Sequence, residues 1–215
     1  ANDKFLLGGV NHIFYHGTDY SPQDAPWPGW LFYAAVHFTP NNTFWDDFGA
    51  LNMYVARSQS FLQSGRPSND ILLYYGLADL WSTPGEEMFH YFHSFKPVSM
   101  DKLGRYFLSN GYTWDAISDR QLQDVKYEKN RPVTGGNAYK TIIVPELEYM
   151  PLETFEQVLA FANKGATVAF YGKLPTDVPG LTGLEKDRAK MKSLREKLNF
   201  TKDGNAQVAS YGKGK

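Results

Sequence analysis

Hydrophobic positions follow two different patterns along the 215-residue chain. From Asn69 onward, short continuous apolar runs alternate with stretches of helical spacing. Asp70-Ile71-Leu72-Leu73-Tyr74-Tyr75-Gly76 is too continuous for a strand with one wet face and suits the centre of a parallel sheet. Trp114 to Ser118, Lys140 to Pro145 and Ala166 to Gly172 repeat that character. Between them, Ser99 to Asn110 offers Leu103, Phe107 and Leu108 to a core, with Gly111 closing it. Asp119 to Leu122 opens a short turn or helix. Leu152 to Asn163 starts behind Pro151, a residue tolerated at helix starts, and ends at Gly165. Leu184, Met191, Leu194 and Leu198 mark a last amphipathic helix. Strand and helix in alternation with short turns predict an α/β fold with a mostly parallel, doubly wound sheet. Residues 207–215 read as the approach to a further strand, so both chain ends read as cut.

Before Asn69 the pattern differs. Gly8-Gly9-Val10-Asn11-His12-Ile13-Phe14-Tyr15-His16-Gly17 reads as a buried strand with a glycine exit. Thr18 to Asn42, with prolines at 22, 26, 28 and 40, reads as a long loop, and loops of that length are often functional. A helix follows, with Thr43 as N-cap, Asp46-Asp47 in its first turn and Phe48, Leu51, Val55 and Leu62 on one face; Gly65-Arg66-Pro67 stops it. Arg57 and Gln59 read as surface or interface positions. The character of the chain changes at Asn69, after the stop at Gly65-Arg66-Pro67.

Composition narrows the field. A formal charge of −1 argues against a nucleic-acid or anionic-membrane partner, since both need a basic stripe. No apolar run is long enough to cross a bilayer. The absence of cysteine removes disulfides, thiolate metal sites and cysteine nucleophiles together. There is no glycine-rich phosphate loop after any strand, so nucleotide binding has no support. His90 and His93 share helical spacing without a third ligand in reach, and predict no metal site. Glu146 and Glu148 on the turn after Val144 read as solvated or helix-capping acids.

Candidate chemistry gathers in residues 1–66. Two histidines, an asparagine and a tyrosine on one short buried strand are unusual, since buried polar groups need partners. The aromatic content is 16%, and Trp27, Trp30, Phe32 and Tyr33 sit in the loop. Such rings either stack on the C–H faces of sugars or plug the strand ends. The candidate sugar contacts are His12, His16, Tyr15, Trp27, Trp30 and Tyr33. Alternation leaves two choices open: His12 and His16 face the site, or Asn11 and Tyr15 do. Asp19 and Asp24 read as solvated loop acids.

The blocks Gly9 to Gly17, Trp27-Pro28-Gly29-Trp30 and Leu51 to Gln59 resemble the α-L-rhamnosidases of glycoside hydrolase family 106. The likeness continues through Asp70 to Tyr75, Asp115 to Asp119, Leu174-Pro175 and Leu184-Glu185-Lys186. It implies that residues 1–66 are the last strand, loop and helix of a (β/α)8 barrel. Residues 67–215 would then resemble the trimerisation domain of family 42 β-galactosidases, itself similar to flavodoxin-like class I amidotransferases. The resemblance implies hydrolysis of terminal α-L-rhamnose with inversion, by two glutamates and with a bound calcium in the full-length enzyme. No glutamate precedes Glu86, so the acid and base would lie outside this chain, and so would any cofactor.

Three readings follow. In the first, the chain is a non-catalytic portion of a periplasmic or secreted glycosidase, inactive alone, whose partners are carbohydrate and the rest of the barrel. In the second, it is an α/β trimerisation or interaction domain forming a homo-oligomer. The third, an amidotransferase-like enzyme, is nearly removed by the missing cysteine.

Overall fold

The computed structural model describes residues 2–82 and 99–215. The chain divides into two compact units, Ala1–Arg66 and Pro67–Lys215. His90 and His93 lie outside the described residues.

The larger unit is α/β. Strands β1 (Ile71–Tyr74), β2 (Trp114–Ile117), β5 (Thr141–Val144) and β6 (Thr167–Phe170) form a four-stranded sheet in the spatial order β2-β1-β5-β6, every neighbouring pair parallel. Burial tracks position in the sheet. All four β1 residues are buried, whereas β6, at one edge, has none fully buried. Alternation sends the side chains of each strand to opposite faces. Leu72, Tyr74, Ile142 and Val144 join Phe155, Val158, Phe161 and Met191 on one face. Ile71, Leu73 and Ile143 meet Met100 and Leu103 on the other. Helices α5 (Asp119–Gln123), α6 (Leu152–Lys164) and α7 (Leu184–Glu196) therefore serve the first face and α4 (Ser99–Ser109) the second. That two-sided covering is what the continuous apolar runs demanded.

Helix boundaries have local causes. The Gln121 side chain accepts a 3.1 Å hydrogen bond from the Ser118 N–H at the start of α5. Gly165 ends α6 in the left-handed region, φ 120°. The close packing of α4 needs Gly104: the Trp114 indole lies where its Cβ would be and donates 3.0 Å to its carbonyl.

Two hairpins were not foreseen, β3 (Lys126–Glu128) with β4 (Arg131–Val133) and β7 (Thr201–Asp203) with β8 (Ala206–Val208). Helix α3 (Leu77–Ser82) precedes the undescribed stretch.

The smaller unit holds α1 (Asn2–Leu7), α2 (Trp45–Ser64) and a long irregular segment between them. Three expectations are corrected here. Residues 8–17 form no strand: Gly8 and Gly9 lie in the turn that follows α1, the run pairs with no strand among the described residues, and most of it is exposed. Thr43 is not the N-cap of α2, which is Phe44. Asn42 organises that entry, its carbonyl accepting from Trp45 N–H at 3.0 Å. On α2, only Val55 of the expected face is buried; Leu51 and Leu62 are exposed.

Candidate functional site

In the smaller unit, side-chain amides do the work a neighbouring strand would do. Gln59 and Gln63 lie one turn apart on α2 and so share a face. The Gln59 Oε1 accepts from the Ile13 N–H at 2.5 Å, and the Gln63 Nε2 donates to the Asn11 carbonyl at 2.6 Å. Held at these two points, the run alternates. Ile13, Tyr15, Gly17 and Asp19 are half-buried, while His12, Phe14, His16 and Thr18 are exposed.

The inward side chains have distinct fates. Tyr15 packs against Phe38 (ring centroids 4.8 Å) and Phe48 (5.1 Å), and Phe38 stacks on Phe48 at 5.1 Å. Phe44 completes the cluster. The Tyr15 hydroxyl is buried and finds no hydrogen-bond partner among the described residues. Asp19 is not a solvated loop acid. Its Oδ2 accepts from the Phe32 N–H at 3.1 Å and meets His37 Nδ1 at 2.8 Å, with both side chains largely screened from solvent.

Asp19 is one of several ties that fix the loop. Phe38 N–H donates to the Gly17 carbonyl at 2.8 Å and closes its base. Gly17 is required there: φ is 115° and a Cβ would collide with the Val36 carbonyl. Ser21 Oγ accepts from Trp30 N–H at 2.8 Å, Trp27 Nε1 donates to the Asn41 carbonyl at 3.1 Å, and Asn42 Nδ2 reaches the His37 carbonyl at 2.9 Å. The Trp27-Pro28 peptide is cis.

What the tied loop displays is aromatic. Trp27 is 75% exposed, Trp30 63% and Tyr33 95%. The ring of His12 stacks on Phe14 at 4.3 Å, and His16 meets the edge of Phe32 at 5.7 Å, with Tyr33 a further 5.0 Å from Phe32. Of the six candidate contacts, His12, His16, Trp27, Trp30 and Tyr33 present exposed surface, and Tyr15 packs inside. His16 and Tyr33 share one aromatic chain through Phe32; His12 belongs to a separate stack with Phe14. Rings beside imidazoles match the chemistry of a sugar, which has apolar C–H faces and hydroxyl edges.

The sequence reading missed Asp19 and His37 as a pair and Gln59 and Gln63 as clamps. The signal for Asp19 was its parity, since it follows Tyr15 and Gly17 on the inward positions. Nothing local in the sequence marked His37.

In the larger unit, the carboxyl ends of the parallel strands are where such folds bind ligands. Here they carry a closed polar network. Tyr74 and Thr154 both donate to Asp119 Oδ1 at 2.6 Å, and Asp79 Oδ1 accepts from the Glu148 and Tyr149 N–H groups. Burial, then the Asp119 carboxylate, pushes the Tyr74 phenol above its ordinary range. An open cavity of about 480 Å³ lies by Trp81, Tyr149, Val178 and Arg188. The Arg188 guanidinium there is already engaged by Asp177 at 2.7 Å and Glu185 at 3.0 Å. Glu146 and Glu148 are exposed. Among the described residues, no three His, Asp or Glu side chains converge in one place.

The comparisons with known proteins bear on these two units together. The family model described as alpha-L-rhamnosidase, glycoside hydrolase family 106, matches residues 1–215. A Formosa agariphila protein named "Putative beta-glucuronidase" is 27% identical over 198 residues, which is 91% of this chain and 15% of that protein. The solved rhamnosidase from Novosphingobium sp. PP1Y superposes with a TM-score of 0.59 at 23% identity, covering 95% of this chain and 19% of the other. The chain thus spans less than a fifth of either relative, and the structural likeness is one of fold. Matched from end to end by the family model, the chain belongs to glycoside hydrolase family 106, the α-L-rhamnosidases.

Proposed function

We propose that this chain forms part of a glycosidase resembling inverting α-L-rhamnosidases, and that residues 1–66 supply sugar contacts while the acid and base come from elsewhere in a longer polypeptide. The observation that carries this reading is the tied loop, which spends at least five polar contacts on holding Trp27, Trp30, Phe32 and His16 in an outward-facing arrangement. Inversion needs two carboxyl groups on opposite sides of the scissile bond, roughly 6.5–9.5 Å apart. The 1–66 unit contains no glutamate at all, and two of its aspartates are already engaged, Asp19 with His37 and Phe32 and Asp3 with the Tyr54 hydroxyl. Its role is therefore to bind and orient, with His16 hydrogen-bonding hydroxyls and Trp30 stacking on a ring face. As the last strand-derived segment of a barrel, the run 8–17 would gain its neighbours from the remainder of that barrel. The same reading places the parent protein in the periplasm or outside the cell, where a chain built without cysteine needs no control of thiol redox state.

The test uses the complete polypeptide and an aryl α-L-rhamnoside. Trp30→Ala and His16→Ala each raise KM roughly tenfold, about 1.4 kcal/mol, with kcat changed far less. Unchanged kinetics in both variants would remove the sugar-contact role.

A second reading has its own support. The strand ends of the larger unit are closed by paired groups, Tyr74 and Thr154 on Asp119 and the Glu148 and Tyr149 amides on Asp79, as suits an assembly domain better than a catalytic one. A trimerisation-like, amidotransferase-like role for residues 67–215 predicts a concentration-dependent oligomer, and sedimentation showing a monomer throughout counts against it.

A further inference from the structure

We propose that the cavity of about 480 Å³ in the larger unit is a second saccharide site, which holds a neutral pyranoside and performs no chemistry on it. Its place in the sheet is the first argument. The chain leaves β1 for β2 on one side and leaves β5 for β6 on the other, so the connections diverge between β1 and β5. Open α/β sheets bind ligands outside the carboxyl ends of their strands, at that divergence. The cavity is lined by Trp81 and Ser82 from the segment after β1, Tyr149 from the segment after β5 and Val178 from the segment after β6, with Leu184 and Arg188 from α7. Its volume is that of a small-molecule site.

The walls of the cavity are bonded to one another. Asp79, on the same short helix as Trp81, accepts at Oδ1 from the Glu148 N–H at 2.7 Å and the Tyr149 N–H at 2.9 Å. The Glu148 carbonyl accepts from Thr176 N–H at 2.9 Å, and Met150 N–H donates to the Asp177 carbonyl at 3.1 Å, so Tyr149 and Asp177 bridge in parallel. Asp177 Oδ1 and Oδ2 then each accept from Arg188 at 2.7 Å. One line of hydrogen bonds thus runs from α3 to α7. The frame is pre-organised, and a ligand need not order it.

The lining selects the ligand. Trp81 is 62% exposed, and with Tyr149, Val178 and Leu184 it gives aromatic and apolar surface of the kind that meets the C–H faces of a pyranose ring. Arg188 uses Nε–H and one N–H of each terminal nitrogen on Asp177 and Glu185, which leaves one further N–H on each terminal nitrogen. Glu185 keeps one carboxylate oxygen without a partner among the described residues. Donors and acceptors fixed side by side in this way match the hydroxyls of a sugar. The charge balance disfavours an acidic sugar. Arg188 is the one cation among the described lining residues, and two carboxylates already neutralise it. An incoming carboxylate would meet net negative charge. None of this depends on the role proposed for His16 and Trp30.

Nuclear magnetic resonance of the isotope-labelled 215-residue chain tests the site, with methyl α-L-rhamnopyranoside, methyl α-D-glucopyranoside and sodium D-glucuronate as probes. The indole N–H of Trp81 reports on the cavity, and those of Trp27 and Trp30 report on residues 1–66. Trp114, whose indole donates to the Gly104 carbonyl, is the internal reference. With at least one neutral glycoside the Trp81 indole, the Tyr149 amide and the Arg188 Nε–H shift to saturation while Trp114 stays. Trp81→Ala and Arg188→Lys each weaken that binding roughly tenfold or more, read at the Tyr149 amide, with Trp114 unmoved. A Trp81 signal indifferent to both neutral glycosides at roughly 0.1 M overturns the proposal, whatever Trp27 and Trp30 do. Glucuronate binding tighter than either glycoside overturns the ligand class. A Trp81 shift that grows with protein concentration alone assigns the cavity to a second copy and also overturns it. Movement of Trp81 with Trp27 and Trp30 still supports this site and counts against the sugar contacts of residues 1–66. Where a variant disturbs the Trp114 signal, the titration of the unsubstituted chain decides.

Discussion

Residues 67–215 are ordered by burial, residues 1–66 by ties. The larger unit has a buried cluster on each face of its sheet, and in the larger of them Tyr74, Phe155 and Phe161 are almost wholly removed from water. Among the described residues of the smaller unit, Leu6 and Val55 alone are buried hydrophobics, and side-chain-to-backbone hydrogen bonds set the path of the chain. Burial makes a unit stable by itself but leaves little on display. Ties leave the rings outside, where another surface or a ligand can meet them.

Several substitutions would break or sharpen that contrast. The largest effect is expected from Phe155→Ala, which opens a cavity in the main core and costs about 3–5 kcal/mol by chemical denaturation followed by circular dichroism. Phe48→Ala, in the half-buried cluster with Tyr15 and Phe38, costs about half as much or less. Equal costs would mean that residues 1–66 own a true core.

Alkaline pH separates the units next. Burial holds the folded-state Tyr74 phenol above its unfolded value, so its contribution is complete below about pH 10 and is lost as pH rises further. The larger unit loses up to about 1.4 kcal/mol per pH unit in that range through this one group. Tyr139, raised chiefly by burial, steepens the loss. Tyr74→Phe flattens the slope but leaves Asp119 one donor short, at about 1 kcal/mol near neutrality.

A smaller, local effect belongs to Asp19→Ala. It strands the Phe32 N–H and His37, costs about 1–2 kcal/mol, and speeds exchange of the Phe32 amide while amides of β1 and β5 stay slow. A global loss of protection would show that the ties hold more than the loop. The smallest change is expected from Arg188→Ala. The pair with Asp177 is exposed at the guanidinium, where solvent screens it, so little stability is lost at neutral pH. The hydrogen bond from Arg188 holds the Asp177 carboxyl below the usual carboxylate range, so that contribution is present above about pH 4 and fades as pH falls. Thermal melts at pH 7 and pH 3 measure it.

Legibility in the sequence followed the same division. Ile71 to Tyr74 and Thr141 to Val144 were readable because central parallel strands need unbroken apolar runs, and the flanking helices because burial imposes a period. The β3–β4 hairpin was not, since its strands have three residues each and its turn uses Lys129 and Asn130 at positive φ in place of an Asn-Gly pair. Residues 8–17 do alternate as a strand would, with Ile13 and Tyr15 inward, but glutamines from a helix replace the expected ladder. A two-residue period cannot tell those partners apart. The choice between His12 with His16 and Asn11 with Tyr15 likewise depended on which side the helix took. The aromatic loop was legible as a display; its anchors were not, because Asp19 pairs with His37 across eighteen residues.

That loop keeps two sets of residues apart. Gly17, Asp19, Ser21, His37 and Asn42 attach it, and Tyr20, Trp27, Trp30, Leu31 and Tyr33 are carried by it. Among the carried side chains, Trp27 also serves as a tie through its indole N–H, whereas Trp30 is tied through its backbone N–H and leaves its ring free of that duty. The carried positions can thus be randomised as a library on a fixed frame, and a change of ligand preference there need not be accompanied by a change of fold.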